Sequence, residues 1–184
     1  MVKIYLKQTV WEAALERIRY IFDEFEHVAV SFSGGKDSTV TYQLALKVAE
    51  ERGRLPLDVH FIDQEAEWQN VIDYIRSVMT DPRVNPMWFQ MPIRLTNSTS
   101  NTEHYLNCWE PGAVWMRERE DFAITENVYG IDRFHSLFEA IYKHHYKGKK
   151  VAVLAGVRAE ESPARLMGLT VDATYKWITW GKRH

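Results

Sequence analysis

The chain has 184 residues, 46% hydrophobic and 26% charged, the balance of one soluble globular domain with a sizeable core. Its 23 Lys and Arg against 25 Asp and Glu leave no overall field that draws it to nucleic acid or a membrane, although a local nucleic-acid-binding patch stays open. The lone Cys108 excludes an internal disulfide and any multi-cysteine metal site. No apolar run reaches the length of a bilayer span and no signal-like segment follows Met1, so a cytoplasmic protein is the default expectation.

In chain order, residues 9–26 place Val10, Ala14, Ile18, Ile21, Phe22 and Phe25 at helical spacing, with Thr9 and Glu12 as a capping box. Residues 28–32 (VAVSF) read as a buried strand, and 37–52 as a helix carrying Val40, Leu44, Leu46 and Val48 that Gly53 ends. A second strand is expected at 57–62, a crossover helix at 67–79 and a third strand at 87–91. Regularity lapses over about 92–132, and a stretch that long reads as an active-site insertion or as disorder. Residues 133–147 recover a helix, and 151–155 (VAVLA) form the most apolar strand. Alternation of helices with buried, non-alternating strands predicts a single α/β domain, a doubly wound parallel sheet of four to five strands with helices on both faces. The 27–32 strand is expected at its centre.

Between the first strand and its helix stand Ser33, Gly34, Gly35, Lys36, Asp37 and Ser38. A glycine-rich turn at that place lies on the carboxyl edge of the sheet, where ligands bind in such folds. Gly34 and Gly35 let successive N–H groups turn toward one point and let an anion approach. The helix N-terminus adds partial positive charge, Ser33 and Ser38 add hydroxyls, and Lys36 adds an ammonium. The sum is a phosphate cradle. It is not the common P-loop, because Asp37 follows Gly35-Lys36 and Val30 stands where the first glycine should be; nor are there three spaced glycines for a dinucleotide fingerprint.

The Ser-Gly-Gly-x-Asp-Ser pattern resembles the pyrophosphate-binding loop of the adenine nucleotide alpha hydrolases. The line VAVSFSGGKDSTVTYQLAL resembles the phosphoadenosine phosphosulfate (PAPS) reductase-like members, among them phage- and prophage-encoded ones. Residues 156–165 (GVRAEESPAR) resemble the same family's G-x-R-x-x-E-S motif, about 120 residues further on. The resemblance implies that Ser33 to Ser38 hold the phosphates of ATP or PAPS and that Asp37 is placed for Mg2+. It also implies that Gly156, Arg158, Glu161, Ser162 and Arg165 face the same crevice. There Arg158 and Arg165 can grip phosphate or sulfate, and Glu161 can orient an arginine or assist the metal. Asp63, at the end of the second strand, stands where the family contacts adenosine. It can accept from a ribose hydroxyl or complete the metal shell, while Glu65 and Glu67 also suit a helix start.

Elsewhere His104 and Cys108, four apart, read as a structural pair on a helix face rather than as zinc ligands, and His144-His145 as a helix end. The stretch 107–121 (NCWEPGAVWMRERED) mixes Trp109, Trp115, Arg117 and Arg119. It reads either as a surface that stacks a base or grips a polynucleotide backbone, or as core tryptophans beside a solvated charge run.

The expected activity is magnesium-dependent cleavage of ATP between the α- and β-phosphates, giving pyrophosphate and an adenylylated acceptor, with Lys36, Asp37, Arg158 and Arg165 at the reacting phosphates. Two alternatives stay open: sulfo-nucleotide binding with sulfur transfer, and a non-catalytic nucleotide-gated regulator. A PAPS reductase carries a catalytic cysteine near its C-terminus, which residues 180–184 (WGKRH) lack, so PAPS reduction by this chain alone is not expected. The chain also stops soon after the arginine motif, which leaves open a shortened protein or a site completed by a partner.

Overall fold

The computed structural model describes residues 7–170; the tryptophans at 177 and 180 and the chain end lie outside them. The first helix, α1 (Val10–Glu24), starts on the expected capping box: Thr9 accepts from the Glu12 amide, and the Glu12 carboxylate accepts from the Thr9 amide at 2.8 Å. Val10 departs from the expected pattern and stands 89% exposed, while Leu15, Ile18, Ile21 and Phe22 bury the face that meets the sheet layer.

Strand β1 (His27–Ser31) leads into α2 (Lys36–Glu51), which Gly53 ends at φ 62°. Tyr42, Ala45 and Ala49 share its buried face with Leu44, Leu46 and Val48, whereas Val40 turns outward. Strand β2 (Leu57–Ile62) and helix α3 (Gln69–Met79) follow, and α3 starts two residues late because 63–67 form a tight turn. Strand β3 is Val84–Phe89, earlier than the expected 87–91. It contains Pro86, a residue that an edge strand accepts because one side of its ladder needs no N–H donor.

The stretch taken as irregular holds an antiparallel hairpin, β4 (Ile93–Thr96) and β5 (Tyr105–Cys108). It then returns to β3, where the Gln90 and Ile124 amides donate to Ile124 O and Trp88 O. Helix α4 (Phe134–His145) and strand β6 (Val151–Ala155) lead through a 3-10 turn (Ala159–Glu161) to a short helix, α5 (Pro163–Thr170).

The main sheet has four parallel strands in the order β3-β2-β1-β6, so β1 is internal and the order reverses between β1 and β6. One face packs Val28, Val30, Val59, Phe61 and Trp88 against α1, α2 and α3. The other packs Ala29, Ile62 and Phe89 against Leu137 and Ile141 of α4 and against the hairpin. With both faces covered, the internal strands β1 and β2 bury almost completely, as VAVSF and LDVHFI required, whereas β6, the most apolar strand, lies at the edge and alternates, with Val153 36% exposed. No helix among the described residues is long and apolar enough to cross a membrane.

Candidate functional site: a glycine-lined anion cradle at the strand-order reversal

Because β1, β2 and β6 run parallel, residues 32–38, 63–67 and 156–162 all leave the same edge of the sheet. Gly34 sits at φ 71°, and a Cβ there would lie 2.8 Å from Val71 Cγ1 and 3.0 Å from Ile75 Cγ1 of α3. Both its backbone conformation and its packing therefore demand glycine. Gly35 is the N-cap of α2 and makes no side-chain cap bond, so the first-turn amides of this 16-residue helix face the loop without a capping side chain. That is the electrostatic setting of an anion site.

The two serines differ in role. Ser38 is buried, and its hydroxyl donates to Gly35 O at 2.9 Å and lies 3.0 Å from Ser33 Oγ, so it braces the loop from inside. This corrects the expectation that both hydroxyls face a ligand. Ser33 is exposed, and Lys36 is exposed and makes no ion pair among the described residues.

The second motif closes on the first. A Cβ on Gly156 would sit 2.5 Å from the Asp37 carbonyl carbon and from the Ser38 amide nitrogen. Arg158 Nε lies 3.4 Å from Asp37 Oδ2, its Nη2 lies 3.3 Å from Glu161 Oε1, and Arg165 pairs with Glu161. Ser162 Oγ accepts from the Arg165 amide at 3.2 Å, which makes it a cap of α5 rather than a free ligand. Lys36, Asp37, Arg158, Glu161 and Arg165 thus gather where the strand order reverses, on loops about 120 residues apart in sequence.

Asp63 is elsewhere. It is fully buried and its carboxylate accepts from Trp88 Nε1 at 2.8 Å, Gln90 Nε2 at 3.0 Å, the Glu65 amide at 2.8 Å and the Arg117 guanidinium. That inward, fully engaged carboxylate corrects the expectation that Asp63 joins Asp37 at a metal. Among the described residues no group of three or more His, Cys, Asp or Glu could hold a metal ion. The Asp37 carboxylate suits a different arrangement, since Mg2+ is commonly held by one or two carboxylates together with the phosphates it accompanies.

Sequence reasoning missed the knot around Asp63. Glu65 accepts from the Trp109 amide at 2.6 Å and the Met116 amide at 3.0 Å, and Arg117 donates to Glu65 O as well as to Asp63. The insertion is therefore bolted to the end of β2. Burial, with the added repulsion of Asp63, raises the Glu67 carboxyl above its ordinary range. Cys108 ends β5 and is buried; burial, then Glu65 and Asp63, push its thiol up to about 11, so it is not a poised thiolate. His104 and Cys108 belong to the hairpin segment and not to a helix. Tyr129 donates to or accepts from His145 Nε2 at 2.9 Å, at the end of α4 as expected for that pair.

The uncharacterised protein YbdN of Escherichia coli K12 is 33% identical over 175 residues, covering 91% of this chain and 43% of YbdN. Sulfate adenylyltransferase subunit 2 of Mycobacterium tuberculosis and of Mycobacterium bovis is 46% identical over 59 residues, 32% of this chain and 19% of that subunit. The chain spans less than half the length of these curated relatives. The family model described as the phosphoadenosine phosphosulfate reductase domain matches residues 27–177, and the chain belongs to that family.

Proposed function

We propose that the chain binds an adenine nucleotide in the cradle of residues 33–38 and transfers its adenylyl group. An acceptor oxygen would attack the α-phosphorus of ATP, the bond from that phosphorus to the bridging oxygen would break, and pyrophosphate would leave. The carrying observation is the meeting of Lys36 and Asp37 with Arg158 at the strand-order reversal, fixed by the contact of Gly156 with the Asp37 backbone.

In this reading the α2 amides and Lys36 hold the β- and γ-phosphates. Arg158 and Arg165 exchange their carboxylate partners for phosphate oxygens as charge grows on the leaving group. Mg2+, held at Asp37 when it arrives with the nucleotide, would neutralise part of that charge. A site of cations alone would suffice for a passive anion binder; an aspartate in the same loop repels a polyanion unless a metal intervenes. The similarity to sulfate adenylyltransferase subunit 2 supports adenylyl chemistry over sulfur reduction. So does Cys108, buried and held protonated.

The test is calorimetry with ATP, AMP, PAPS and adenosine 3′,5′-bisphosphate, with and without Mg2+, followed by pyrophosphate release from ATP. Magnesium-dependent ATP binding with pyrophosphate release supports the reading. Preference for PAPS would replace it with sulfo-nucleotide chemistry. ATP binding with no pyrophosphate under any condition, with protein or DNA partners added, would leave a nucleotide-gated regulator.

A further inference from the structure

Among the described residues, two that are not glycine have left-handed backbone: Glu65 at φ 66° and Trp109 at φ 55°. They are hydrogen-bonded to each other, the Trp109 amide donating to Glu65 Oε2. Such strain gathers where a fold must hold a particular geometry. This pair holds in place an aromatic corner that carries two guanidinium groups, Arg117 at 5.2 Å from the Trp109 centroid and Arg119 against both tryptophans. Trp109 and Trp115 stand edge to face with ring centroids 5.7 Å apart, and the Arg119 guanidinium carbon lies 4.1 Å from the Trp115 centroid and 5.6 Å from that of Trp109.

Arg119 differs from the other arginines of the insertion. Arg94 pairs with Asp132 and Arg117 with Asp63, whereas Arg119 has no carboxylate within ion-pair distance among the described residues. Its one hydrogen bond among the described residues runs from Nη2 to Trp109 O at 3.3 Å. Among the described residues its Nε is buried without a hydrogen-bond partner, as are those of Arg94 and Arg117, while its Nη1, also without one, is not among the buried atoms. The Glu65 carboxylate favours the charged form of Arg119 from a distance, but its oxygens are taken by two backbone amides and Asp63 is engaged by four donors, so neither makes an ion pair with it. Burial without an ion partner lowers the Arg119 pKa. A guanidinium covered on its flat face and open at one edge is shaped to grip an oxyanion through directed N–H groups.

We propose that Arg119, caged by Trp109 and Trp115, binds the anionic group of a second ligand, a carboxylate or a tetrahedral oxyanion. The cage stands at the end of β2, whose neighbour β1 leads into the 33–38 loop, so both sites open on one edge of the sheet a strand apart. Identifying that ligand with the adenylyl acceptor rests on the function proposed above; anion binding at Arg119 does not.

The experiment titrates the whole chain, with its phosphate cradle saturated by α,β-methylene ATP, with sodium sulfate, inorganic phosphate and sodium acetate at constant ionic strength. Indole emission and calorimetry report binding. The expected result is one saturable site, weakened at least tenfold in Arg119→Gln and about threefold in Arg119→Lys, with nucleotide affinity retained. Saturation by sulfate and phosphate alone identifies a tetrahedral oxyanion, and saturation by acetate alone a carboxylate. No saturable binding, or wild-type affinity in Arg119→Gln, overturns the proposal. Should Arg119→Gln fail to fold, Arg119→Lys decides, because it keeps the charge and loses the fork; wild-type affinity there overturns it. A chain that binds no nucleotide is titrated ligand-free in the Lys36→Ala background. Arg119-dependent anion binding in that case would sink the adenylyl-transfer reading and leave this one standing.

Discussion

Gly156 rests directly on the peptide between Asp37 and Ser38, with no room for a methyl group between the two loops. The contact joins the end of β6 to the start of α2, and it is what brings Arg158 to Asp37. Gly156→Ala would force those backbones apart. We expect a loss of about 1–3 kcal/mol in stability from overpacking, together with nucleotide affinity reduced at least tenfold. Thermal melts and calorimetry on one preparation check both; wild-type affinity would show that the two loops act separately.

Lys36 is exposed and without an ion-pair partner among the described residues, so its removal should cost binding and not folding. Lys36→Ala is expected to weaken ATP affinity by about 1–3 kcal/mol, the range of a charge-assisted contact, with an unchanged melting temperature.

Asp37→Asn should separate metal from nucleotide. In the wild type Mg2+ is expected to raise ATP affinity, because at Asp37 it would offset the repulsion between that carboxylate and the phosphates. In the variant the metal effect should vanish, while metal-free ATP binds at least as tightly as to the wild type. A magnesium effect that survives in Asp37→Asn would place the metal elsewhere.

Arg117 is the cationic partner of the fully buried Asp63. Arg117→Ala leaves that carboxylate without its ion partner and is expected to destabilise the chain by about 3–5 kcal/mol. Adding Asp63→Asn should recover part of the loss, since the amide needs no counter-ion. Urea titrations of the single and double variants measure the recovery; none would mean that the pair is not coupled.

His60 is buried against Tyr142, whose hydroxyl lies 2.6 Å from Nε2, and burial drives its pKa from 6.5 to about 3. The fold therefore favours the neutral ring. Its contribution is full above pH 6.5, falls as the unfolded chain takes up the proton, and is gone by about pH 3. One unit below 6.5 the expected loss is about 1.4 kcal/mol. Urea midpoints of the wild type and His60→Gln at about pH 7.5 and 5.5 should converge toward acid; parallel curves would mean that His60 already titrates normally.

Much of this was legible in the residues. Buried strands next to helical periodicity specified a parallel sheet, because only a sheet covered on both faces accepts runs such as VAVSF. The glycines and charges of 33–38 marked that turn as the proposed anion site, because backbone freedom, uncapped amides and an ammonium are local properties of it. The spacing of 156–165 also pointed to its meeting with that loop, though only by resemblance. The short hairpin of 93–108 was missed because strands of four residues leave too few positions for a two-residue period to register. The roles of Ser38 and Asp63 were missed for another reason. A hydroxyl or a carboxylate reads as a ligand wherever it stands in sequence, and only tertiary packing decides which way it points. Asp63 meets donors from Trp88, Gln90 and Arg117, up to 54 positions away, and nothing local foretells them. The same distance hides the Arg119 site: its arginine and tryptophans were visible as types, but only the folded chain commits Asp63 and Glu65 to other donors and leaves Arg119 without an ion pair among the described residues.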